Sequence, residues 1–229
     1  MDTIAILAAH PDDVACCMDG TLLLLEGQVR PHVLCATKGE RGCPGRAMDE
    51  IAAIREKEER AACDVLGADV TFLGRIDGEV HADREICDRV AALLDDLKPV
   101  ALLTLWPVDR HPDHSAVSEI ARKAAGVGEA RCPILYFEAA LSSQVSQFRP
   151  DVYVDVTAVQ ERKLQAIRCH ACQNPGDKLA DFTVRQSTFR GWECGCEYAE
   201  AFKTTRPIKM PPAALLAHLT ETKQKYPKF

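Results

Sequence analysis

The chain has 229 residues, 47% hydrophobic and 27% charged, with 28 Lys plus Arg against 34 Asp plus Glu and a formal net charge of −6. That length buries a full core without staples, and the aliphatic content excludes a disordered or fibrous chain. The acidic balance argues against nucleic acid as a partner, since phosphate binding needs a basic face.

The run TIAILAA at 3–9 reads as a strand, followed by a polar turn and a helical stretch around 21–28. PHVLCA at 31–36 is a second strand, leading into the Gly-rich loop TKGERGCPG. A helix is expected over 48–66, stopped by Gly67 as the residue past its end. DVTFL at 69–73 is strand three, 84–97 a helix, VALLTL at 100–105 strand four and 113–125 a helix. Two more strands are expected at 133–138 and 151–156, with a helix over 159–172. From about 174 the pattern weakens into a polar connection, a short segment near 198–202 and a terminal helix from 211.

Strands alternating with helices predict a single α/β domain over 1–229, less regular from about 174. It is Rossmann-like, a mainly parallel β-sheet with helices on both faces. The apolar runs show little polar alternation, as strands covered on both faces do. No apolar run approaches 18 residues and the N-terminus has no basic n-region, so neither a membrane span nor a signal peptide is expected. The 11 cysteines are odd in number and several sit inside apolar patterns, which predicts reduced, packed thiols in a cytoplasmic protein. Cys169-x-x-Cys172 and Cys194-x-Cys196 could hold a second, structural zinc, but such sites usually pair two matched Cys-x-x-Cys units. Packed or free thiols are the expected state.

Two motifs carry chemistry. His10-Pro11-Asp12-Asp13 follows strand one, and His111-Pro112-Asp113-His114 follows strand four. Each alone reads as a Pro-containing helix start with an acidic first turn. Together they are two His/Asp clusters at the carboxyl ends of strands that flank the switch point of common doubly wound sheets, where ligands bind. His10, Asp13 and one histidine of the second motif would make a three-ligand site with an open position, as catalytic zinc sites have. Asp12 would then act on water and the remaining histidine on substrate. A nucleotide-binding module is disfavoured, because the first turn has no Gly-x-Gly-x-x-Gly and places carboxylates where a pyrophosphate would sit.

These residues resemble the PIG-L/LmbE-like zinc-dependent N-deacetylases, which remove acetyl groups from N-acetylglucosamine-containing molecules. The resemblance spans most of the chain. Its central motifs are AHPDD at 9–13 and HPDH at 111–114. TKGERG at 37–42, Arg55 with Glu58 closing at Leu66-Gly67, Asp77-Gly78, DVTAVQERKLQAIRCHACQ at 155–173 and YAEAF at 198–202 follow in the family's order. Val14 stands where the family often has Glu, and only Gly20-Thr21 remains of its glycine-rich segment.

The resemblance implies that His10, Asp13 and His114 bind Zn²⁺, with Fe²⁺ also suited to two histidines and a carboxylate. It implies Asp12 as general base and protonated His111 as oxyanion stabiliser or acid. Asp113 would partner His111, or else His114. Arg55, Asp77 and His170 are the candidate substrate contacts, with Arg41 and Glu40 near the presumed mouth. The expected activity is removal of an N-acetyl group from a small N-acetylglucosamine-type conjugate. The alternatives are an amidase on another N-acyl substrate and a non-catalytic metal- or sugar-binding member of the fold. The resemblance also implies a homo-oligomer, hexamers being known in the family.

Overall fold

Strand β1 (Asp2–Ala8) lies at the centre of the sheet, paired in parallel with β2 (Val29–Cys35) on one side and β4 (Ala101–Leu105) on the other. The molecule is described from a computed structural model covering residues 1–127, 132–139 and 144–204. Thr3 to Ala8 are all buried, because helices cover both faces and leave no solvent side on which polar residues could alternate. Beyond β2 lies β3 (Asp69–Phe72), whose edge position leaves it half-exposed. Beyond β4 lies β5 (Ile134–Phe137), also parallel. The last two strands depart from the parallel pattern. β7 (Ala199–Thr204) inserts antiparallel between β5 and β6 (Val152–Asp155), giving the order β3-β2-β1-β4-β5-β7-β6.

The helices are α1 (Asp13–Cys17), α2 (Asp19–Leu24), α3 (Met48–Leu66), α4 (Arg84–Leu97), α5 (Pro112–Val127), α6 (Gln160–Cys169) and α7 (Lys178–Cys194). Helix α3 stops as the sequence predicts, with Gly67 at φ 62°, a left-handed conformation that glycine adopts without steric cost. Helix α4 starts on Asp83, whose side chain accepts from the Ile86 N–H. The core runs along the sheet through Ile4, Ile6, Leu34, Leu103, Phe137 and Phe202.

Two expectations are corrected. The stretch after 174 is not a polar connection: α7 fills most of it. Its stripe is hard to read because Phe182, Phe189 and Trp192 are exposed, so hydrophobicity does not mark its buried side. The first turn also opens two short helices, α1 and α2, rather than one helix near 21–28. The expected helix from 211 lies outside the described residues.

Behind the sheet's carboxyl edge, Lys163 of α6 is fully buried and ion-pairs with Glu200 of β7. Glu200 also accepts from the backbone N–H groups of Gly20 and Thr21 and from the Thr21 hydroxyl, at 2.8, 2.7 and 2.6 Å. One carboxylate thus ties α2, α6 and β7 together. Replacing Glu200 with Ala would strand a buried ammonium and two backbone donors, and should cost about 3–5 kcal/mol of folding free energy in a denaturant melt.

Candidate metal centre and active site

The functional side chains converge where four loops leave the carboxyl ends of β1 to β4. The chain turns sharply after β1, and Asp12 takes φ 96°, unusual for a residue with a Cβ. Helix α3 holds this turn from below with two residues one turn apart. Arg55 donates to the Pro11 carbonyl at 2.5 Å and to Asp12 Oδ2 at 3.1 Å. Glu59 accepts the Asp12 backbone N–H at 3.2 Å. Arg55 also donates to the Gly39 carbonyl at 2.9 Å, fastening the TKGERG loop to the same point. The residue paired with Arg55 around Asp12 is Glu59, not Glu58. The Glu58 carboxylate instead accepts the Cys172 N–H at 2.9 Å.

Asp13 begins α1, and its Oδ2 accepts the backbone N–H groups of Ala9 and His10, both at 2.9 Å. That leaves Oδ1 3.4 Å from His114 Nε2, while Oδ2 stands 3.8 Å from His10 Nδ1. The outer nitrogen of each imidazole meets a carboxylate. His10 Nε2 is 3.1 Å from Asp113 and 3.2 Å from Asp77, and His114 Nδ1 is 2.8 Å from Asp109. The rings of His10, His111 and His114 cluster, with centroids 4.6 to 5.3 Å apart. Ring nitrogens of these three histidines lie close enough together to hold one metal ion.

Asp113 therefore does not partner His111 or His114 through its side chain. Its carboxylate is turned to His10 and to the backbone N–H groups of Gly78 and Val80, at 2.6 and 3.1 Å. It is the Asp113 backbone N–H that reaches His111 Nδ1, at 3.3 Å. The carboxylate on His114 comes from Asp109, which sequence reading missed. Asp109 lies two residues before His111 in an irregular loop, where no spacing rule marks it.

The electrostatics follow from this packing. Burial alone would lower the His10 imidazole, but the bonds to Asp113 and Asp77 outweigh it and raise it to about 10. His114 is likewise raised against burial by Asp13 and Asp109. His111 moves the other way, lowered by burial and then by the charge of His10 and His114. Burial raises the Asp12 carboxyl to about 6 against the pull of Arg55, and raises Glu59 to about 7. The cluster suits a divalent metal: ring nitrogens of His10, His111 and His114 form one close group, His10, Asp77 and Asp113 a second, and Asp13 stands beside His10 and His114. Carboxylates orient the His10 and His114 imidazoles from behind, as at histidine-ligated metals.

A cavity of about 610 Å³ opens over these groups, a size suited to a small molecule. Asp12, Arg41, Arg55, Asp77, Gln144 and Gln173 contribute to its polar lining. Arg55 lines it with its terminal nitrogens already committed to the protein, and Asp77 also accepts the Arg41 N–H at 3.1 Å. His170, expected as a substrate contact, is not in the lining. It is 1% exposed and stands 3.7 Å from Glu59. Among the described residues, neither metal-capable group contains a cysteine.

With this geometry in view, the comparisons with known proteins are decisive for the family. The PIG-L family model, described as GlcNAc-PI de-N-acetylase, matches residues 5–125. The chain belongs to the PIG-L family. It is 30% identical over 182 residues to a probable N-acetyl-alpha-D-glucosaminyl L-malate deacetylase 2 of Bacillus anthracis, covering 74% of this chain and 80% of that one. It is 28% identical over 206 residues to the 4-oxalmesaconate hydratase of Pseudomonas putida, covering 81% and 78%. Among solved structures, the N,N'-diacetylchitobiose deacetylase of Pyrococcus horikoshii superposes with a TM-score of 0.80 at 26% identity, over 96% of this chain and 87% of that one.

Two predictions follow from the packing. Asp109→Ala should weaken metal affinity by about 10–100-fold in a competition titration with a chelator, because His114 loses the partner that fixes its ring. His170, buried without a hydrogen-bond partner for either ring nitrogen, is held neutral to about pH 3, against 6.5 in the unfolded chain. The unfolded state therefore takes up a proton that the folded state refuses, and stability is lost as pH falls from 6.5 toward 3. Between pH 7 and 5 that contribution is about 2 kcal/mol, and urea melts of His170→Phe should show a correspondingly flatter pH dependence.

Proposed function

We propose that this protein is a zinc-dependent hydrolase that removes an N-acetyl group from a small N-acetylglucosamine-type conjugate. The observation that carries the reading is Asp12, a carboxylate beside the His10, Asp13 and His114 donor set but not itself needed as a ligand. Zinc held by those three residues would acidify a water molecule and polarise the amide carbonyl. Arg55 holds Asp12 Oδ2, which leaves Oδ1 for the proton of the attacking water. A carboxyl raised to about 6 is well matched to accepting a proton near neutral pH and handing it on.

His111 accepts the Asp113 N–H at Nδ1, which puts its proton on Nε2. With its pKa lowered, it acts as a neutral donor to the carbonyl oxygen as charge develops there, rather than as the cation expected from resemblance. The amine must leave protonated, and Asp12, loaded in the first step, carries that proton. Asp77, Arg41 and Gln173 supply polar groups at the mouth for sugar hydroxyls.

The relatives named as deacetylases of glucosaminyl-malate and diacetylchitobiose support this substrate class. Two histidines and a carboxylate support zinc, with Fe²⁺ able to replace it. Among the described residues no helix is long and apolar enough to cross a membrane. The exposed Phe189 and Trp192 on α7 offer a surface for a homo-oligomer. A second reading, hydration of an unsaturated carboxylic acid, is favoured by the relative named as a hydratase, since activated water would also serve that reaction.

The test is metal content per chain combined with amine release from N-acetylglucosaminides and water addition to an enoic acid, before and after chelation. One zinc and chelator-sensitive amine release are expected. Asp12→Asn should keep the metal and lose about 10²–10⁴ in turnover. Hydration without amine release would transfer the assignment to the second reading, and a chain that binds no metal would end both.

A further inference from the structure

The sequence suggests Cys169-x-x-Cys172 and Cys194-x-Cys196 as its close thiol pairs, but the fold brings Cys172 to a different partner. Its Sγ lies 2.9 Å from the Sγ of Cys43, 129 positions away in the chain. Cys43 directly follows the TKGERG loop, and Cys172 follows α6. Both thiols are partly exposed. The Gln173 side-chain amide donates toward both sulfurs, at 3.6 and 3.7 Å, and to the Gly42 carbonyl at 3.2 Å. The exposed Arg46 guanidinium is close enough to feel both sulfurs.

Of the other nine cysteines, Cys132 is partly exposed just before β5. Cys16, Cys17, Cys35, Cys63 and Cys87 are buried. Cys169 turns its sulfur back to the Gln165 carbonyl of its own helix. Cys194 and Cys196 are 3.5 Å apart, but only Gly195 separates them, so a bond there would constrain one local turn.

We infer that Cys43 and Cys172 are a reversible disulfide site that clamps two walls of the cavity mouth, oxidised by exchange with a low-molecular-weight disulfide. Arg41 and Gly42 form one wall, and Gln173 and Pro175 the other. Both thiols border solvent, so either can start the exchange, and the step is the same with Cys43 as the first nucleophile. Its thiolate attacks one sulfur of the small disulfide, breaking that S–S bond, and the displaced thiolate takes up the proton Cys43 gave up. Cys172 then loses its proton and attacks Cys43 Sγ. The protein disulfide forms, and the second small thiolate leaves and is protonated. Two protein thiols lose two electrons, and one small disulfide becomes two thiols. Contact between the sulfurs makes the second step intramolecular, so the mixed disulfide does not persist.

The inference stands on the thiol geometry and does not depend on the substrate assignment. The test treats the reduced full-length chain with oxidised glutathione. The intact mass should fall by two hydrogens, with a peptide map joining Cys43 to Cys172. Closing so long a loop should raise Tm by on the order of 10 °C. Hydrogen exchange across residues 38–46 should slow, and dithiothreitol should reverse every change. Cys172→Ser should instead keep one glutathione on Cys43 and show no rise in Tm. Stable glutathione adducts on Cys43 or Cys172 of the wild-type chain, or a disulfide that joins either of them to another cysteine, would overturn the site. A Cys43–Cys172 bond that leaves exchange at 38–46 unchanged would overturn the clamp. The wild-type measurements decide the matter even if Cys172→Ser does not fold.

Discussion

The Arg55 guanidinium, 4% exposed, is where three segments of the site meet: the turn after β1, the loop after β2, and α3 itself. Its charge is neutralised by Asp12 and its terminal nitrogens donate to the Gly39 and Pro11 carbonyls, which makes so deep a cation tolerable. The glycines of the TKGERG loop are explained by the same group. A Cβ on Gly39 would stand 2.1 Å from Arg55 Nη1, and Gly39 also sits at φ 62°. The loop must be bare there because the guanidinium passes against its backbone. Everything at the site that depends on Asp12 being turned inward depends on this one side chain.

Around that anchor the site is assembled from paired acids and imidazoles drawn from separate strands. His10 follows β1 and is steadied by acids following β3 and β4, while His114, in the first turn of α5, is steadied by Asp109 from the loop before it. Asp113 is further fixed by two backbone donors from the β3–α4 connection. Each pairing removes a rotational freedom that a ligand would otherwise lose on binding, so the geometry is largely paid for by folding. The adjacent β1 and β4 supply the two histidine motifs because the chain reverses its strand order between them.

The parallel half of the molecule was legible from the sequence because its strands are short apolar runs and its longest helix carries a clean end signal at Gly67. The two histidine motifs were legible because they repeat one chemistry at two strand ends. What could not be read depends on three-dimensional proximity. Asp109 sits in a loop with no periodicity, Asp113 chooses His10 over its sequence neighbours, and Cys172 finds Cys43 across the fold. Glu58 and Glu59 are adjacent, and only the rotation of α3 decides which of them meets Asp12. Helix α7 escaped because its aromatic residues face outward, against the rule that hydrophobicity marks the buried side.

The insertion of β7 between β5 and β6 has a consequence for the order in which the chain becomes structured. The five parallel strands that carry the histidines, Asp12 and Asp77 are complete in sequence by residue 137, whereas β6 has no neighbour in the sheet until residues 199–204 arrive. During synthesis, β6 must wait as an unpaired strand while α6 and α7 emerge, and Lys163 must wait for its carboxylate. The catalytic half can therefore take shape on the ribosome before the half that seals it. The late strand then pairs with β5 and β6 together and brings the carboxylate that neutralises the buried lysine.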